Sequence, residues 1–219
     1  MKRYLITIIL LLLSVIILII ISRFYMLKNK KPDNTNIPPQ NNPASISIQE
    51  NTASISIEVP LDNASARITK KPFGIFVSPQ NSPVSPERFT GFHTGTDFET
   101  TPEEASVPIE VRAIMDGTII NKLSVSGYGG VILEKAEING QPVIILYGHV
   151  DLDSSTKEKE VKKGDPLAIL APANSSKSGH ERKHLHLGII KGAQINYRGY
   201  VQSIKELSDW IDPQAREDF

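Results

Sequence analysis

The chain has 219 residues, no cysteine, and 24 Lys plus Arg against 24 Asp plus Glu, for a formal net charge of zero. That balance leaves no basic footprint of the kind a nucleic-acid partner requires, so no nucleic acid is expected. The absence of cysteine excludes disulfides and a lipid-attachment cysteine, and it fits an exported domain.

From Leu5 to Ile21 only Thr7 and Ser14 are polar. A helix over this stretch with Tyr4, rising about 1.5 Å per residue, covers roughly the thickness of a bilayer's hydrocarbon core. Phe24, Tyr25, Met26 and Leu27 follow Ser22-Arg23, and aromatic side chains suit the membrane interface. A cleaved signal peptide has a shorter apolar region and a small-x-small cleavage site. Ser22-Arg23-Phe24 offers none. Residues 4–27, after a flank at 1–3, are therefore expected to be an uncleaved single-pass membrane anchor. Lys2 and Arg3 stand on one side, and Arg23, Lys28, Lys30 and Lys31 on the other, so charge alone does not orient it. The bulk of the chain is placed outside the cytoplasm because the chemistry inferred below needs it there.

Residues 28–66 read as a linker rich in Pro, Asn and Ser, with too little apolar surface to offset chain entropy. Within it Ala44-Ser-Ile-Ser-Ile48 is repeated as Ala53-Ser-Ile-Ser-Ile57. Its alternation suits a hairpin, but a lone hairpin is marginal in water, and a low-complexity tether is the simpler reading.

Residues 67–219 have the composition of one folded domain, with 18 Lys plus Arg against 20 Asp plus Glu, and ample length for a core. Short runs rich in Val and Ile recur at Phe73–Val77, Ile109–Ile114, Thr118–Leu123, Val131–Leu133, Val143–Tyr147, Pro166–Leu170 and Leu185–Ile190. Asp116-Gly117, Gly127-Tyr-Gly-Gly130, Asn139-Gly140 and Gly164-Asp165 separate them. Asn-Gly between two apolar runs is the clearest hairpin signal. The pattern predicts a mostly antiparallel β domain, a sandwich or barrel. Helix is expected only over Val201–Trp210, where Ile204, Leu207 and Ile211 share a face and Asp212-Pro213 stops it.

Four of the five histidines fall in three short clusters: His93-Thr-Gly-Thr-Asp97, Tyr147-Gly-His149 and His184-Leu-His186. Residues i and i+2 of a strand share a face, so His184 and His186 point one way while Leu185 and Leu187 enter the core. Two unrelated histidines on an edge strand would give the same triplet. Gly91, Gly95 and two threonines argue for a turn at His93–Asp97, leading into a strand at Asp97-Phe98. Singly, each cluster has a structural explanation. Together they supply imidazole and carboxylate ligands for a hydrolytic zinc ion, with two imidazoles left to handle protons.

These residues resemble the lysostaphin-type, or LytM-like, zinc endopeptidases of bacterial cell walls. The resemblance runs from about Pro72 to Pro213 and rests on Gly91-Phe-His-Thr-Gly-Thr-Asp-Phe98, Val107–Thr118, Gly127-Tyr-Gly-Gly130, Leu146-Tyr-Gly-His149, Val161-Lys-Lys-Gly-Asp-Pro-Leu167, His184-Leu-His-Leu187 and Trp210-Ile-Asp-Pro213. It implies a β-sandwich or barrel-like domain (a duplicated hybrid motif) holding one zinc ion through His93, Asp97 and His186. It also implies that His149 and His184 flank the attacking water, either one serving as base. Peptidoglycan peptides are the implied substrate. A glycine bridge, a D-alanyl–diamino acid cross-link or a stem-peptide bond would present a similar carbonyl.

The chain departs from the pattern twice. His180-Glu-Arg-Lys183 replaces the small or proline residue that precedes His-x-His, and Thr100–Ser106 reads as an insertion. His180 is expected on an exposed loop, and Glu181 is a candidate to orient a ligand. A non-catalytic activator module on the same fold is the alternative function; such relatives lose metal-site residues, whereas all five positions are filled here. A lipoyl-type carrier, suggested by Val161–Ala168, lacks a lysine in the required hairpin turn and leaves four histidines unexplained.

Overall fold

The computed structural model describes residues 58–214. The expected membrane anchor and the Ala-Ser-Ile-Ser-Ile repeat lie outside them. Among the described residues no helix is long and apolar enough to cross a membrane.

The domain is mostly β and antiparallel. Thirteen strands run in chain order: β1 (Phe76–Val77), β2 (Gly91–His93), β3 (Gly95–Glu99), β4 (Glu110–Arg112), β5 (Gly117–Val125), β6 (Gly129–Ile138), β7 (Gln141–Gly148), β8 (Val150–Asp151), β9 (Glu160–Val161), β10 (Pro166–Leu170), β11 (His184–Lys191), β12 (Tyr200–Val201) and β13 (Trp210–Ile211). The large sheet has the order β13-β11-β7-β6-β5-β9, with β3 also paired to β11. Two three-stranded sheets, β4-β10-β8 and β1-β2-β12, accompany it.

The β6–β7 hairpin turns at Asn139 and Gly140, whose φ values of 51° and 73° are those a two-residue type I′ turn requires. Alternate residues of β7 then part to opposite faces. Ile145 and Tyr147 join Ile132, Leu185, Leu187 and Ile189 in one core with Val111, Leu167 and Leu170 of the small sheet. Ile144 and Leu146 join Val131, Leu133, Ile190, Tyr128 and Trp210 in the other. Burial on both faces explains why these strands read as continuous apolar runs.

Three expectations are corrected. The packed chain begins before residue 67: Leu61 is fully buried, Glu58 N–H donates to Ile114 O at 2.9 Å, and Arg112 N–H to Pro60 O at 2.8 Å. One leucine in a polar stretch was too weak a signal to mark this strap. The helix is one turn, α1 (Ile204–Leu207), begun by Ser203 capping Glu206 N–H. Ile204 is 62% exposed, and Trp210 and Ile211 are drawn instead into β13 opposite Ile190 and Ile189. Of the run Phe73–Val77 only Phe76–Val77 is strand, because Gly74 turns at φ 76°.

Glu134 of β6 is fully buried. One carboxyl oxygen accepts from Tyr147 O–H at 2.7 Å, and the other has no partner. Burial pushes its pKa up to about 7, the Tyr147 hydrogen bond opposing and Asp116 adding to the rise. An unfolded glutamate ionises near 4.5, so between those values the folded chain holds the extra proton, and stability falls as pH rises from about 4.5 to 7. Glu134→Gln removes that loss. Urea unfolding should show the variant gaining at most about 3 kcal/mol on the parent between pH 5 and pH 8; parallel pH profiles would refute this.

Candidate metal centre

Strand pairing assembles the site. In the β3–β11 register Asp97 lies opposite His186, and Glu99 opposite His184. On its other edge β11 pairs with β7, placing Gly148 opposite His186. The His-x-His triplet therefore sits on an interior strand, not an edge, and both imidazoles are buried. His93 arrives from the separate sheet of β2. Thr94 breaks the chain between β2 and β3, and its amide and hydroxyl are held by the carbonyls of Gly199 at 3.0 Å and Arg198 at 2.7 Å. Only glycine fits at 95, where a Cβ would lie 2.4 Å from Leu187 O and 2.7 Å from His186 Nε2.

Three ligand-type atoms converge. His93 Nε2 lies 3.0 Å from His186 Nδ1 and 3.2 Å from Asp97 Oδ1, and His186 Nδ1 lies 3.1 Å from the same oxygen. Among the described residues, this trio is the one group of potential ligands close enough to share an ion. Tautomers follow from the partners. His93 Nδ1 faces Pro72 O at 3.2 Å, and His186 Nε2 faces the Tyr128 hydroxyl at 3.2 Å. With those nitrogens protonated, three lone pairs meet with no proton between them. Their spacing approaches the edge of a tetrahedron with bonds near 2.0–2.1 Å, about 3.3 Å. The donor set and its size fit a zinc ion.

The electrostatics agree. Burial pushes the His186 pKa down to about 4, against the opposing Asp97 hydrogen bond, so the ring is neutral and able to ligate. Burial alone would raise the Asp97 pKa, but His93 and His184 hold it well below the usual carboxylate range.

Two further imidazoles stand beside this trio, with ring centroids 4.2 Å apart. His149 Nδ1 faces Ser178 O at 2.9 Å, and His184 Nδ1 faces Arg182 O at 2.9 Å. Donation from Nδ1 leaves His149 Nε2 with a lone pair, whereas His184 Nε2 lies 3.4 Å from Asp97 Oδ2. Burial, reinforced by His184, holds the His149 pKa well below its ordinary value. His149 also has φ 63°, an uncommon conformation for a residue other than glycine. All five residues line one cavity of about 350 Å³, with Tyr128, Arg182 and Tyr200 among its other walls.

Several contributors were not legible in the sequence. Tyr128 read only as part of a glycine turn, yet it supports His186. Lys71 is buried; its carbonyl accepts from Asp97 N–H at 2.9 Å and its ammonium donates to Tyr200 Oη at 2.9 Å. Glu181 does not orient a ligand but pairs with Arg88, whereas its neighbour Arg182 reaches Asp97. His180 is exposed, as expected.

Residues 91–197 match the family model described as Peptidase family M23. Residues 91–197 thus form an M23 peptidase domain. M23 proteins are metallopeptidases that typically bind zinc. Among solved structures, LytU is 25% identical, covering 67% of this chain and 81% of its own, with a TM-score of 0.45. Lysostaphin, the antimicrobial peptidase of Staphylococcus simulans, is 18% identical over 71% of this chain and 51% of its own, TM-score 0.43. Csd3 of Helicobacter pylori is 23% identical over 69% of this chain and 38% of its own, TM-score 0.41. The chain thus spans about half of lysostaphin and less of Csd3. No curated protein matches.

Gly95→Ala tests the close packing of this M23 site. The added methyl must displace both the Leu187 carbonyl and the His186 ring, and the expected loss of stability is about 2 kcal/mol or more. An unchanged urea midpoint would show that the strands separate without cost.

Proposed function

We propose that the protein is a zinc metalloendopeptidase that hydrolyses peptide bonds in peptidoglycan, held at the cell membrane with its peptidase domain extracytoplasmic. The observation that carries the reading is the meeting of His93 Nε2, Asp97 Oδ1 and His186 Nδ1 at 3.0–3.2 Å inside a cavity that also contains His149 and His184.

His93, Asp97 and His186 would hold the ion, which when bound supplies Lewis acidity to a water and to the scissile carbonyl. His149 and His184 supply proton transfer. A neutral imidazole whose Nδ1–H is tied to a carbonyl offers Nε2 as acceptor for the proton of the attacking water, and afterwards returns it to the departing amine. The second imidazole, once protonated, donates a hydrogen bond to the developing oxyanion. The carbonyls of Ser178 and Arg182 hold the two rings in register throughout.

His93→Ala and Asp97→Ala should each abolish both bound zinc and hydrolysis, measured by elemental analysis and by release of peptides from purified peptidoglycan. His149→Ala should retain zinc while turnover drops about 10²- to 10⁴-fold; full activity with zinc in place would refute its role. Clearing of wall material that disappears with chelator and returns with zinc separates the enzyme from a non-catalytic activator on the same fold. Mass spectrometry of the released fragments identifies the bond.

Membrane anchoring is proposed from the apolar run Leu5–Ile21. The stretch read as a tether must stop short of the strap that begins at Glu58. Deleting residues 33–57 should leave activity on soluble peptides unchanged and alter action on intact cells; loss of soluble-peptide activity would mean that this stretch supports the domain.

A further inference from the structure

The chain's departure from the family pattern, His180-Glu-Arg-Lys183, places a guanidinium against the candidate metal ligand. Arg182 Nη2 donates to Asp97 Oδ2 at 2.7 Å. Its Nε lies 3.0 and 2.8 Å from the two oxygens of Glu99. Asp97 and Glu99 alternate onto the same face of β3, where two buried carboxylates would repel each other. Their side chains are 3% and 8% exposed, and the arginine between them is 21% exposed. The result is a divided carboxylate: Oδ1 faces the lone pairs of His93 and His186, while Oδ2 faces the guanidinium at 2.7 Å, with His184 Nε2 farther off at 3.4 Å. The main-chain carbonyl of Arg182 also fixes the ring of His184.

The neighbouring lysine locks the arrangement in place. Lys183 is buried, and its ammonium donates to the carbonyl of Glu104 at 2.9 Å and to that of Val107. Arg67 in turn holds the Glu104 carboxylate through two contacts of 2.7 Å. The two departures from the family pattern are therefore joined: Lys183 holds the carbonyl of Glu104 within the extra segment Thr100–Ser106 and that of Val107 just after it, and Arg182 braces the ligand strand.

We propose that Arg182 is a positioning residue of the metal centre: braced by Glu99, its fork clamps Asp97 Oδ2 so that Oδ1 alone is presented to the ion. This rests on the zinc reading above. A lysine would supply a point charge without the planar fork that spans two carboxylates. Removing a group that orients a ligand typically weakens metal affinity about 10- to 100-fold.

The test is zinc competition against a chromogenic chelator, using the full chain as wild type, Arg182→Lys and the charge-balanced double variant Arg182→Met/Glu99→Gln. The wild type should bind one zinc, and both variants should bind it at least about tenfold more weakly. Cobalt(II) gives a second readout: release of Oδ2 lets the carboxylate chelate through both oxygens, changing coordination number and lowering visible absorption. Should Arg182→Lys fail to fold, the double variant decides alone. Zinc affinity within about twofold of wild type, even with a lowered thermal midpoint, would make Arg182 a structural ion pair and overturn the proposal. Failure of the wild type to bind zinc would instead overturn the metal reading beneath it.

Discussion

The site depends on the antiparallel register between β3 and β11. A slip of one residue would turn every side chain of β11 to the opposite face, sending His184 and His186 into the apolar core and Leu185 and Leu187 into the cavity. The register is held from both sides, because β7 pairs along the other edge of β11 and its hairpin with β6 is set by Asn139-Gly140. Geometry at the metal centre is thus inherited from hydrophobic alternation several strands away. His93 is the exception. It reaches the same point from another sheet only because the chain breaks at Thr94 and Gly95 permits the approach.

Main-chain carbonyls do much of the electrostatic organisation. His93, His149 and His184 each turn Nδ1 to a carbonyl, of Pro72, Ser178 and Arg182 respectively. The same tautomer is thereby imposed on three rings by two loops, the one before β1 and the one between β10 and β11. His186 is reversed, with Nδ1 inward and Nε2 toward Tyr128. His186 lies two residues further into β11 than His184, paired on both sides by β3 and β7, and there the Tyr128 hydroxyl takes the role of the carbonyl. Buried polar groups tolerate this density because nearly every donor has an assigned acceptor.

The sequence exposed the parts of this arrangement that repeat with a short period or are rare in composition. Alternating Val and Ile runs marked the strands, Asn-Gly marked the hairpin, and four histidines with one aspartate marked the site. It concealed what depends on long-range contact. Leu61 is one apolar residue among polar ones, and its burial depends on β4 and the core beyond. Trp210 and Ile211 carry helical spacing with Leu207, but the open edge of β11 recruits them as strand, and tertiary pairing overrides so short a helical signal. Arg182 appeared only as a misfit in a familiar pattern. Its significance required knowing that Asp97 and Glu99 share a face.

The strap ahead of the domain is held at several points. Glu58 and Pro60 hydrogen-bond to the backbone of Ile114 and Arg112, Leu61 is plugged into the core, and Arg67 grips Glu104 and the Glu99 carbonyl. Along the chain from residue 58 these contacts follow in series: the backbone pairing to Ile114 and Arg112, the buried Leu61, then Arg67 against β3 and Glu104. Leu61 packs in the cluster that holds Leu185 and Leu187, on the face of β11 opposite His184 and His186, so the leading segment is fastened away from the imidazoles.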